Sequence, residues 1–300
     1  MRPLLVFHPA YAPELPPAHR FPMPKFAHLF ARLERLGLAE PRHCREPVPA
    51  PRGWLELAHD PQWVSAVLEQ RLDREAIRRL GLPMTREIAL RSQAAVGGTV
   101  LAARLALEHG FACNLAGGSH HAFADAGTGF CVFNDVAVAS RLLIAENSVK
   151  RILIIDLDVH QGDGTAAILG SDPGVFTLSV HCRTNFPARK QRSSLDIALE
   201  PGTGDDVYLS LVERLVPALL DRLQPDLVFY NAGVDPHERD RLGRLALTDD
   251  GLWRRETLVL EAVLKRTLPL ACVVGGGYGT DIEEVAARHT ILHEAAHDLA

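Results

Sequence analysis

The chain has 300 residues, 47% hydrophobic and 23% charged, with a formal net charge of −5. This is the balance of an ordinary globular domain, and it excludes a disordered or collagen-like polymer. A weakly acidic chain also lacks the global basic field of a nucleic-acid binder, so no direct nucleic-acid binding is expected.

In chain order, Leu4–Phe7 reads as a strand and the Pro-rich stretch Pro9–Pro24 as an irregular surface segment. Phe26–Leu36 has helical periodicity, and Pro41–Pro51 is again irregular. Thr85–His109 predicts a long helix. Its Gly97-Gly98 pair costs about 1 kcal/mol per Gly against Ala and so marks close packing. Strands follow at Phe111–Leu115, Ile152–Leu157, Val175–Val180, Leu227–Tyr230 and Leu270–Val274. Helices are predicted at Asp135–Ala145, Asp206–Leu223, Asp249–Arg266 and Asp281–Leu299, with Asn134, Asp205, Thr248 and Thr280 at their starts. Alternating strands and helices give an α/β class. The expected architecture is a single domain over 1–300 with a doubly wound, mostly parallel sheet flanked by helices.

Cys44, Cys113, Cys131, Cys182 and Cys272 are scattered and odd in number, with no CxxC spacing, so free and mostly buried thiols are expected. No stretch reaches the roughly 18 apolar residues of a membrane span, and the first apolar run is too short for a signal peptide. A cytoplasmic protein without membrane contact is expected.

The polar residues collect after the strands, where open parallel sheets bind ligands. Ile152–Ile155 runs into Asp156-Leu157-Asp158-Val159-His160-Gln161-Gly162-Asp163-Gly164. Two-residue periodicity puts Asp156, Asp158 and His160 on one face. Three ionisable groups on a buried strand face are costly without a ligand. Other strands end in Gly117-Gly118-Ser119-His120-His121, Asn231-Ala232-Gly233-Val234-Asp235 and Gly275-Gly276-Gly277-Tyr278.

Asp158, His160 and Asp235 form a three-ligand set that leaves a catalytic zinc an open position for water. His120 and His121 can serve as base and acid near neutral pH. Asp156 and Asp163 can each hold a histidine Nδ1–H. Tyr278 can donate to a developing oxyanion. Together these are the parts of a metal-assisted amide hydrolase.

These stretches, with Gly129-Phe130-Cys131-Val132-Phe133-Asn134-Asp135, resemble the histone deacetylase family and its arginase/deacetylase fold. Five motifs fall in the family's order between Gly117 and Tyr278. Asn185-Phe186-Pro187 through Gly202-Thr203-Gly204-Asp205 is closest to class IV and its bacterial relatives.

The resemblance implies Zn²⁺ on Asp158, His160 and Asp235, with Fe²⁺ able to substitute. It pairs His120 with Asp156 and His121 with Asp163, makes His121 the base, and gives Tyr278 the acyl carbonyl. Phe130 and Phe186 would wall an acyl-lysine tunnel, with the Gly129 carbonyl accepting the amide N–H. Asp156, Asp158 and His160, with Ser179 and Val180, would hold K⁺ or Na⁺ through main-chain oxygens. Arg20 would line an internal acetate channel.

Gln161 stands where many members have a second His, and the loop Gly81–Arg86 lacks the rim Asp of class I members. The implied partner is an acylated lysine in a protein or a small acylated amine. An acetylpolyamine deacetylase and an acyl-lysine binding module without turnover are the alternatives. The basic run Arg183, Arg189, Lys190 and Arg192 would disfavour polyamines if it rims the tunnel.

Overall fold

The computed structural model describes residues 2–17 and 19–299; Met1, Ala18 and Ala300 lie outside it. Among the described residues the strands are β1 (Leu4–Val6), β2 (Cys44–Arg45), β3 (Phe111–Asn114), β4 (Ile152–Asp156), β5 (Val175–Cys182), β6 (Leu195–Leu199), β7 (Leu227–Asn231) and β8 (Leu270–Val273). They form one eight-stranded sheet in the order β2-β1-β3-β8-β7-β4-β5-β6, with every pairing parallel. Strands β3, β4, β7 and β8 are buried along their whole length, as helices on both faces require.

The helices are α1 (Lys25–Arg35), α2 (Arg52–Leu55), α3 (Pro61–Leu68), α4 (Arg74–Leu80), α5 (Arg86–His109), α6 (Asp135–Ala145), α7 (Asp163–Leu169), α8 (Asp205–Leu223), α9 (Asp249–Leu264) and α10 (Ile282–Asp298). Asn134 and Thr248 cap α6 and α9 as predicted, accepting from Ala137 and Gly251 N–H at 3.0 Å each. Two predicted caps are corrected. Asp205 is the first residue of its helix, and its carboxylate instead takes Thr248 N–H at 3.0 Å and the Thr248 hydroxyl at 2.7 Å, tying α8 to α9. Asp281, not Thr280, caps α10, accepting from Glu283 and Glu284 N–H.

The sequence pattern misses the two edge strands for different reasons. Strand β2 is only two residues long. In β6, Leu195, Ile197 and Leu199 alternate with Asp196 and Ala198, but none of the five is fully buried, so its apolar signal is weak.

Apart from a 3-10 turn at Pro9–Tyr11, the Pro9–Pro24 stretch is irregular as predicted, but only part of it lies on the surface. Tyr11, Phe21 and Met23 are buried, and the Tyr11 hydroxyl donates to Asn114 Oδ1 at 2.8 Å. The five cysteines are free, and all but the half-buried Cys44 are buried. Among the described residues no helix is long and apolar enough to cross a membrane.

The glycine pair in α5 marks close packing. A Cβ at Gly97 would stand 2.0 Å from the Val48 carbonyl, and one at Gly98 would stand 2.1 Å from the Tyr11 hydroxyl and 2.6 Å from Asn114 Oδ1. Gly98→Ala is therefore expected to lower stability by about 1–3 kcal/mol, because overpacking outweighs the gain in helix propensity of about 1 kcal/mol. Urea unfolding measures it. A midpoint at or above that of the parent protein would contradict the packing argument.

Candidate active site

The register brings four neighbouring strand ends level. Asn114 of β3 pairs with Val273 of β8, Val273 with Asn231 of β7, and Asn231 with Asp156 of β4. The chain leaving these ends fills one crevice at the carboxyl edge of the sheet.

Past β4 come Asp158 and His160, and past β7 comes Asp235. His160 Nδ1 lies 3.1 Å from Asp158 Oδ1 and 3.0 Å from Asp235 Oδ2. All three are buried, and among the described residues they are the set of His, Cys, Asp and Glu close enough together to hold a metal ion. The donor set suits a zinc-sized ion: the two distances from His160 are near the roughly 3.3 Å that bonds of about 2.0–2.1 Å set between ligand atoms, and all three ligand atoms lie within 4.8 Å of one another.

The remaining carboxylate oxygens are held by main chain. Asp158 Oδ2 accepts from Gly276 N–H at 2.7 Å and Asp235 Oδ1 from Val159 N–H at 2.9 Å. A Cβ at Gly276 would stand 2.0 Å from Asp235 Oδ2, so only glycine lets the backbone in. Burial, with the neighbouring Asp158 charge, pushes the Asp235 carboxyl up to about 7. Two buried carboxylates side by side call for a cation.

Past β3, Asp135 takes Gly118 and Ser119 N–H at 3.1 and 2.7 Å and so fixes the turn before the histidine pair. His120 Nδ1 lies 2.7 Å from Asp156 Oδ2, and His121 Nδ1 lies 2.6 Å from Asp163 Oδ1. These are the pairings the resemblance implies. The two imidazoles differ electrostatically. Burial disfavours charge on His120, but Asp156 and Asp158 outweigh it and hold the ring up to about 9. Burial and the adjacent His120 charge push His121 down to about 4. The two rings are thus pushed in opposite directions.

Past β8, Gly275–Gly277 carries Tyr278, whose N–H donates to Asp240 Oδ2 at 2.7 Å. Burial, followed by the charges of Asp158 and Asp235, raises its phenol well above the ordinary value and keeps it protonated. Behind the ring sits Lys25, which is buried. Its Nζ donates to the Gly275 carbonyl at 2.9 Å and lies over the Tyr278 ring, 5.6 Å from its centroid.

A funnel of about 390 Å³ opens over His121, His160 and Tyr278. Gly129, Phe130 and Phe186 line it, and the Phe186 ring stands edge-on to His121 at 4.7 Å.

With this geometry in view, comparison decides the family. The histone deacetylase domain model matches residues 19–293. The chain belongs to the histone deacetylase family. An uncharacterized protein of Picosynechococcus sp. is 51% identical over 295 residues, covering 98% of both chains. Histone deacetylase 2 of Arabidopsis thaliana is 38% identical over 186 residues, 61% of this chain and 48% of that protein. The crystal structure of an HDAC homolog complexed with SAHA superposes with a TM-score of 0.85 at 25% identity, covering 99% of this chain and 84% of that one.

The structure thus gathers Asp156, Asp158, His160, Asp163, His120, His121, Asp235 and Tyr278 into one site, with Gly129, Phe130 and Phe186 around its opening. For the implied monovalent cation it supplies a placement only: Ser179 pairs with Asp156 across β4 and β5.

Two expectations are corrected. Arg20 is exposed and lines the outer mouth, not an internal channel; the cations behind Tyr278 are Lys25 and the buried Arg91. The basic side chains Arg183, Arg189, Lys190 and Arg192 do not line the funnel, although Thr184, Asn185 and Phe186 of the same segment do. Arg183 pairs with Glu200 at 2.8 Å, and Lys190 Nζ donates to the Asn185 and Pro187 carbonyls at 2.6 Å each.

Lys25 and Asp240 escaped the sequence reading. Lys25 had a legible signal, since it shares the buried stripe of α1 with Leu29 and Leu33 at spacing i, i+4, i+8.

Proposed function

We propose that the protein removes acetyl or other acyl groups from lysine side chains or a related acylated amine by hydrolysis. The observation that carries this reading is a funnel floored by His121, His160 and Tyr278, with His160 set between Asp158 and Asp235 and each histidine of the pair held by its own aspartate.

In this reading Asp158, His160 and Asp235 hold Zn²⁺, with Fe²⁺ able to take its place. When bound, the ion polarises the acyl carbonyl and makes water a nucleophile near neutral pH. His121, neutral and oriented through Nδ1 by Asp163, takes the water proton at Nε2. His120, held by Asp156, would support electrostatically the charge that develops on the acyl group. Tyr278 donates its O–H to the carbonyl oxygen as it gains charge. Phe130 and Phe186 exclude water from the substrate stem, and the Gly129 carbonyl accepts the amide N–H. The K⁺ or Na⁺ reading near Ser179 and Val180 stays part of this proposal.

The experiment is hydrolysis by the zinc-loaded protein of acetyl-lysine, trifluoroacetyl-lysine and long-chain acyl-lysine peptides and of acetylpolyamines, with a hydroxamate control. Hydroxamate-sensitive release of the acyl group supports the reading. Stoichiometric zinc with no turnover across the panel moves the assignment to an acyl-lysine binding module.

Asp163→Asn is expected to keep its zinc and lose about 10–100-fold in turnover, because the histidine loses its oriented partner. Zinc content beside kcat checks this; zinc loss would make Asp163 part of the cation site. Lys25→Met is expected to lower kcat far more than it raises KM, since it frees the Gly275 carbonyl behind Tyr278 while leaving the funnel intact. A change confined to KM would contradict that positioning role.

A further inference from the structure

Four arginines stand around the funnel, delivered by three separate segments. Arg20 comes from the chain before α1, Arg78 and Arg79 from the last turn of α4, and Arg244 from the loop between β7 and α9. All four are exposed, and no Asp or Glu lines the funnel with them. Elsewhere on the surface arginines are mixed: Arg183 pairs with Glu200, Arg239 with Asp249 and Glu284, and Arg266 with Asp221, while others stand singly; what sets the mouth apart is that four converge on one opening. Among the described residues none of the four at the mouth has a carboxylate partner. A chain with net charge −5 has gathered unpaired positive charge at the entrance to its candidate active site.

The C-terminus of α4 favours Arg78 and Arg79 by about 0.3–1 kcal/mol each through the helix dipole. That does not account for Arg20 and Arg244, which lie at no helix end. The backbone of two of the three segments is pinned: the Arg244 carbonyl accepts from Gly202 N–H at 2.7 Å, and the Leu80 carbonyl, next to Arg79, accepts from Phe130 N–H at 2.8 Å. Charges of one sign around a concave opening focus the field at its entrance and raise the local concentration of oppositely charged ligands about 10- to 1,000-fold.

We infer that the substrate carries negative charge on the part that stays outside the tunnel: an acylated amine with a carboxylate or similar anion within a side chain's reach of its acylated nitrogen. This rests on the deacylation reading and names its substrate class. The acylated nitrogen is neutral, so charge recognition falls to the outer part of the substrate. There the planar guanidinium forks match carboxylates two bonds at a time. An acylpolyamine would bring its remaining ammonium groups into the same ring and be repelled.

The test uses matched substrates with the zinc-loaded protein: an acetyl-lysine peptide flanked by Glu, Gln or Lys, and 4-acetamidobutyrate against acetylputrescine. The expected result is kcat/KM at least about tenfold higher for the acidic partner at low salt, shrinking toward unity as salt screens the mouth. In Arg78→Gln/Arg79→Gln/Arg244→Gln the acid-to-base ratio should collapse to within about threefold, and that ratio does not depend on how much of the variant is active. A preference confined to the small pair identifies a small anionic metabolite, and one confined to the peptides identifies an acidic protein segment.

Equal rates, a preference for the basic partner, or a ratio the triple variant leaves unchanged overturns the inference. Hydrolysis of the Gln-flanked peptide tests the deacylation reading separately. Binding of the labelled peptides to Tyr278→Phe gives the same charge comparison without turnover. Absence of an acidic preference there overturns the inference whatever the catalytic result.

Discussion

Tyr278→Phe is expected to cut turnover of an acetyl-lysine peptide by about 10²–10³-fold, or about 2.7–4 kcal/mol of transition-state stabilisation, with zinc content unchanged. The change removes one hydroxyl from a ring whose surroundings the substitution leaves alone. That ring packs against Phe21, Phe130 and His160, with centroids 6.1–6.3 Å away. Its loop is pinned independently of the phenol: Gly276 N–H on Asp158, Tyr278 N–H on Asp240, and the Gly276 carbonyl on Val234 N–H at 2.8 Å. The loss should therefore fall on kcat, with KM nearly constant. Near-normal turnover would remove Tyr278 from the reaction and leave the histidine pair to explain catalysis alone.

Arg255→Met is expected to destabilise the fold by about 3–5 kcal/mol, because it strands the Glu256 carboxylate in the core. Arg255 and Glu256 are fully buried ion-pair partners, and the Tyr230 hydroxyl donates to Glu256 Oε2 at 2.6 Å. Arg255 Nη1 also donates to the Gly233 carbonyl at 2.8 Å and the Leu157 carbonyl at 3.3 Å. Leu157 precedes Asp158, and Gly233 lies two residues before Asp235, so zinc affinity should fall along with stability. The double variant Arg255→Met/Glu256→Leu should regain most of the lost stability, since the buried charge is then gone from both sides. Urea unfolding of the three proteins decides it. A single variant within about 1 kcal/mol of the parent would mean that water reaches the pair.

Much of the site was legible because strand geometry is periodic. Asp156, Asp158 and His160 alternate with the buried Leu157 and Val159, and this spacing marks the crevice side even though β4 ends at Asp156 and the chain then bends. The pairing of each histidine with its aspartate needed the resemblance, since Asp156 and Asp163 are equally eligible by spacing. Lys25 was legible only as a position on the α1 stripe. It is a charged residue on an apolar stripe, and only tertiary contact says whether such a residue snorkels outward or is buried against carbonyls and rings. The arginines of the mouth were illegible in principle. Residues 20, 78, 79 and 244 meet through loop packing, whereas the basic run 183–192 is contiguous in sequence and its charges are partly spent on local partners.

The depth of the two layers has an evolutionary consequence. The cation set, the histidine pair and Tyr278 hang from the ends of four central strands, where a change disturbs the core on both sides of the sheet. The arginine ring hangs from exposed loop and helix-end positions, where most substitutions alter stability by no more than about 0.5 kcal/mol. A lineage can therefore exchange one clientele of acylated amines for another through a handful of surface substitutions, while the hydrolytic apparatus beneath is inherited intact.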